Sequence, residues 1–104
     1  MSELYLAERF WPAGGLAELE AASRRLRAAA DRGNDTGEQV RYLGSVLVPS
    51  DEVVFCLFEA ADVAGVRAVN ERADVALDRI VGCHGVVGGF MPAPRAASLE
   101  GEQR

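Results

Sequence analysis

Six side chains in this 104-residue chain are of types and placements that could do chemistry: Glu8, Trp11, Tyr42, Cys56, Cys83 and His84. Cys83 and His84, with Cys56 as a further thiol, carry the soft donors of a transition-metal site. As strand neighbours, Cys83 and His84 point to opposite faces. Joint chelation therefore needs a bulge, for which Gly82 and Gly85 supply the freedom. The plainer reading makes both cysteines small buried hydrophobes and the single imidazole a hydrogen-bonded structural residue. A second copy of the chain would bring a second His84, so a metal on a twofold axis also fits.

Glu8 is the candidate ligand-binding carboxylate. It lies in Leu4-Tyr5-Leu6-Ala7-Glu8-Arg9-Phe10, a short run rich in strand formers. A carboxylate on a central strand is costly to bury unless paired. Three outcomes are open: it points past the sheet end into water, it pairs with Arg9, Arg41 or Arg79, or it lines a ligand pocket with a raised pKa. Phe10, Trp11 and Tyr42 are the aromatics available to wall such a pocket.

Other catalytic patterns are missing. There is no Gly-x-Ser-x-Gly elbow, and Ser45 and Ser50 have no evident base. Gly14-Gly15 lacks the remaining glycines and the lysine of a phosphate loop. The glycines around His84 (Gly82, Gly85, Gly88, Gly89) lack a strand–turn–helix setting. These absences weigh against acyl- and phosphoryl-transfer enzymes.

The positioning elements follow from periodicity. Leu4–Phe10 reads as a strand, closed by the turn signals of Trp11-Pro12-Ala13-Gly14-Gly15. Apolar residues at 16, 19, 22, 26, 29 and 30 give a helix over 16–31, with Gly33 as its C-cap. Residues 40–48 and 52–58 read as strands joined through Pro49-Ser50-Asp51 into an antiparallel hairpin. Asp62 caps a second helix with Val63, Val66, Val69 and Ala73 on one stripe. Residues 80–87 make the last strand. The domain spans 1–88, and 89–104 reads as a loose tail. The order β-α-β-β-α-β implies a ferredoxin-like α+β sandwich with an antiparallel sheet ordered 4-1-3-2 and both helices on one face. In that order Cys56 and Cys83 lie about 9–10 Å apart across the intervening strand, too far for a disulfide. Two cysteines are also too few for an iron–sulfur cluster.

The strands are apolar on both faces: strict alternation over 40–48 puts Val40, Tyr42, Val46 and Val48 at one parity and Leu43 and Leu47 at the other. Val53-Val54-Phe55-Cys56-Leu57-Phe58 has no polar member, yet an antiparallel sheet covered on one side should alternate. Burying about 600 Å² of the second face is worth roughly 15 kcal/mol, against association costs of about 4–15 kcal/mol. A homodimer packed sheet to sheet is the expectation. The alternative is a tail, including Phe90 and Met91, folded back over its own sheet.

Composition narrows the partners. All 11 basic residues are arginines, and the net charge of −5 with a pI near 4.8 excludes nucleic acid as a favoured partner. The cluster Arg24, Arg25 and Arg27 sits in a glutamate-rich helical stretch and reads as a solvated face. No apolar run approaches the roughly 18–20 residues of a membrane span. The start Met1-Ser2-Glu3-Leu4 lacks a signal-peptide pattern. The expected setting is the cytoplasm, with reduced cysteines.

Three stretches together are familiar: Leu4–Phe10 with its Tyr-Leu-x-Glu-Arg start, Val53–Ala60 with Phe-Cys-x-x-x-Ala, and Val66–Ala73 followed by Asp78-Arg79-Ile80. Over about residues 3–87 the chain resembles a family of small bacterial ferredoxin-like proteins. Most are catalogued as a domain of unknown function, and some are labelled nickel-binding. The resemblance implies a dimer and a transition-metal cofactor such as nickel. Nickel favours imidazole-rich sites and only His84 is present, so no ligand is carried over. Glu8 and Cys56 fall on motif positions.

Three functional readings follow. The first is a homodimeric, non-enzymatic module for a small ligand or transition metal. The second is a cofactor-independent dimeric α/β-barrel enzyme, a monooxygenase or isomerase, with Glu8 or His84 moving a proton. The third is a ligand-free dimerisation domain.

Overall fold

A computed structural model describes residues 2–12 and 14–85. The expected tail and the residues Phe90 and Met91 lie outside the described residues. The elements run β1 (Glu3–Phe10), α1 (Leu16–Asn34), β2 (Val40–Val48), β3 (Val53–Ala60), α2 (Val63–Arg72) and β4 (Arg79–Cys83). The sheet is antiparallel with order β2-β3-β1-β4, the expected 4-1-3-2 arrangement read from the other edge. The fold is the ferredoxin-like α+β sandwich.

Alternation within the strands decides which face is core. In β3, Val54, Cys56, Phe58 and Ala60 are buried, and Val53, Phe55, Leu57 and Glu59 are not. The buried set joins Leu19, Ala22, Leu26 and Ala29 of α1 and Val66 and Val69 of α2 in one core. Both helices therefore lie on the same face, and their apolar stripes drive the packing. Asp62 caps α2 as expected, accepting a hydrogen bond from the Gly65 amide at 3.0 Å.

Three local expectations are corrected. Gly33 is not a C-cap: α1 continues to Asn34 and Gly33 is buried inside it. A Cβ there would overlap the Glu38 carboxylate and press on Arg72, so the glycine lets the Glu38–Arg72 ion pair (3.1 Å) pass over the helix. Second, β4 ends at Cys83, leaving exposed His84 beyond the strand without a strand parity. Third, β2 does not keep one parity. Between Tyr42 and Gly44 the register against β3 slips by one residue. Gly44 takes φ +147°, a conformation open to glycine. Val40 and Tyr42 face the helices before this bulge, and Ser45 and Leu47 face them after it, opposite Cys56 and Val54. Val46 and Val48 are thereby moved to the other face, opposite Phe55 and Val53.

Candidate ligand site

The two faces hold different groups. On the helix-covered face, Tyr42 is 8% exposed and Cys56 3%. The Tyr42 hydroxyl donates to Ser23 Oγ at 2.9 Å and contacts Ser45 Oγ at 2.5 Å, and Ser45 Oγ donates to Cys56 Sγ at 3.0 Å. The bulge at Gly44 is what turns Ser45 inward to make this chain. Burial pushes the Cys56 thiol up, only partly offset by the Ser45 hydrogen bond and the charge of Arg9. A protonated thiol under the helices is a poor nucleophile and a poor metal ligand.

Arg9 also lies on the covered face, opposite Val54, with its guanidinium 4.5 Å from the centre of the Trp11 ring. Burial lowers its pKa from the ordinary arginine value, and the neighbouring Arg25 adds to this, against the opposing pull of Cys56 and Asp78. Trp11 packs against the core beside Arg9. Tyr42 and Trp11 are thus on the face opposite Glu8, and the three do not share a pocket.

The open face carries Leu4, Leu6, Glu8 and Phe10 of β1, Phe55 and Leu57 of β3, Val46 and Val48 of β2, and Val81 and Cys83 of β4. Its charges are paired at opposite corners. Arg79 Nε donates to Glu8 Oε1 at 2.6 Å, and Arg41 pairs with Glu59 at 2.8 Å. Of the three outcomes open for Glu8, the arginine pair is the one found.

The Glu8 corner is also concave. A depression of about 470 Å³ is lined by Glu8, Phe10, Asp51, Val53, Phe55, Asp78 and Arg79. Phe10 is the only one of the three expected aromatics in its wall, and it is 59% exposed. Asp51, Asp78 and Phe55 were not singled out by sequence. The signal was the strand register: Phe10 pairs with Val53 and Glu8 with Arg79, which brings the connections before β3 and β4 to one end of β1. Asp78 secures that end, its Oδ2 accepting from the Phe10 amide at 2.5 Å.

A family description, nickel responsive protein SCO4226-like, matches residues 5–82. The chain belongs to that family. The crystal structure of SCO4226 from Streptomyces coelicolor A3(2) is similar in fold, with a TM-score of 0.59 at 20% identity, covering 90% of this chain and 99% of that one. No curated protein matches the chain.

The described residues of the single chain do not assemble a site that fits a nickel ion. Cys56 is under the helices, Cys83 is on the open face, and His84 is past the end of β4. Among the described residues no three His, Cys, Asp or Glu side chains come together as a ligand set. The Glu8 carboxylate already holds a guanidinium, whose positive charge disfavours a second cation on the same oxygens.

Proposed function

We propose that the chain is a non-enzymatic binding module that works as a homodimer, with its open sheet face against that of a second copy and a small ligand held in the depression at the Glu8 corner. The observation that carries this is the make-up of the open face. Leu6, Val46, Phe55, Leu57 and Val81 form an apolar tract that neither helix covers. A continuous tract of this kind marks an interaction surface. Its ion pairs, Glu8–Arg79 and Arg41–Glu59, stand at the margins, where charges keep their water. The nickel-related role named for the family enters through this module; a donor set for the ion would need residues of both copies.

The enzyme reading has less support. A depression containing Glu8 exists, but Arg79 donates to one of its two oxygens at 2.6 Å, which leaves only the other open to a substrate proton. Sedimentation velocity on the full chain and on Leu57→Arg tests the proposal. The wild type should sediment as a dimer and the variant as a folded single chain. Identical profiles for the two would refute it.

A further inference from the structure

The wall of the Glu8 depression is of two kinds. Phe10, Val53 and Phe55 supply an apolar side, and Phe10 remains 59% exposed, contributing little to the core. Glu8, Asp51 and Asp78 supply three carboxylates against the single guanidinium of Arg79, a formal balance of −2. Glu8 and Asp78 each use one oxygen internally, Glu8 on Arg79 Nε and Asp78 on the Phe10 amide. Asp51 makes no hydrogen bond to any described side chain or amide, so the depression is rich in open acceptors.

Each simple ligand class can be weighed against this wall. An anion meets a net negative field. A neutral apolar molecule would strip water from carboxylates that it cannot satisfy. A bare divalent ion finds no convergent ligand set among the described residues. A compact organic cation satisfies both halves: an ammonium head donates hydrogen bonds to the open oxygens of Asp51 and Asp78, away from the Glu8–Arg79 pair, and its apolar body covers Phe10 and Phe55. A volume of about 470 Å³ admits a ligand of small-molecule size.

We propose that this depression binds a small organic ammonium ion with an apolar body. The inference rests on the reading of the open face as the ligand face of the module and names the chemical class of that ligand. Calorimetric titration of the full chain with 2-phenylethylammonium tests it, beside phenylacetate and nickel(II) chloride as probes of opposite charge and of bare metal. The ammonium should bind in preference to both. Asp51→Asn and Phe10→Ala, two exposed positions, should each weaken it about five- to tenfold while leaving the circular dichroism spectrum intact. Equal binding of phenylacetate, tighter binding of nickel, no heat up to about 10 mM ammonium, or unchanged affinity in both variants overturns the proposal. Light scattering on the same samples separates the two readings: a dimer that ignores the ammonium overturns the ligand class alone, and a single chain that binds it overturns the dimer and supports the ligand class.

Discussion

The two faces of the one sheet are built from similar residues and end in different states. Along β3, Val54, Cys56 and Phe58 point one way and Val53, Phe55 and Leu57 the other. The first set is buried by α1 and α2, and its polar neighbours, Tyr42, Ser45 and Ser23, satisfy one another through hydrogen bonds. The second set is half-exposed, and among the described residues the charges beside it form ion pairs at two corners. The covered face satisfies its polar groups internally. The open face has an apolar centre and carries its ion pairs at the rim, the composition on which the proposed dimer rests.

Phenylalanine truncation should break the comparison most sharply. Phe58→Ala on the covered face removes a side chain that is 0% exposed and should cost about 3–5 kcal/mol of unfolding free energy. Phe55→Ala, three residues earlier on the open face, should cost the protomer under about 1.5 kcal/mol, with its larger effect on association. Urea denaturation read at low and high protein concentration separates the two. Next in size, Leu57→Arg should weaken the dimer at least about a hundredfold, because a guanidinium buried without a partner costs several kcal/mol. A dilution series followed by sedimentation measures this.

A smaller effect tests the covered face. Tyr42→Phe leaves Ser23 and Ser45 without their shared partner and should destabilise by about 1–2 kcal/mol in urea melts. The buried thiol adds a pH signature. Burial raises the Cys56 pKa, so the folded chain keeps this proton to higher pH than the unfolded chain does. That contribution to stability is intact below the ordinary thiol range and falls as pH rises from there toward the folded value. The urea midpoint should therefore drop between about pH 8 and pH 10, and Cys56→Ala should flatten the drop. The smallest effect belongs to Arg79→Ala. Its exposed pair with Glu8 should be worth about 0–1 kcal/mol to stability, so any large change in ligand binding in this variant reports on the site and not on the fold.

Much of the fold was legible because periodicity and end signals agreed. The apolar spacing of α1, the Asp62 cap and the short β2–β3 connection left few topologies to consider. Three features were not legible, each for a physical reason. The bulge at Gly44 inserts one residue into β2, and a count of alternate positions cannot register it; Val46 and Val48 therefore looked like companions of Tyr42 when they stand on the opposite face. Gly33 had the look of a helix terminator because a glycine chosen for close packing against Glu38 and Arg72 is indistinguishable in sequence from one chosen for a left-handed turn. The candidate site was only half visible. Glu8, its possible partner Arg79 and the wall residue Phe10 were named, but Asp51 and Asp78 lie in connections, and only the pairing of β1 with both β3 and β4 brings them to one corner. Trp11 and Tyr42 were grouped with Glu8 as neighbours in composition, and the pleat separates them.

The central claim is that the open face is completed by a second copy of the chain. Size-exclusion chromatography with in-line light scattering on the full chain at about 10 μM tests it most directly. The account predicts a single species at twice the 11.1 kDa chain mass. A single species at 11.1 kDa, unchanged on concentration, would contradict it.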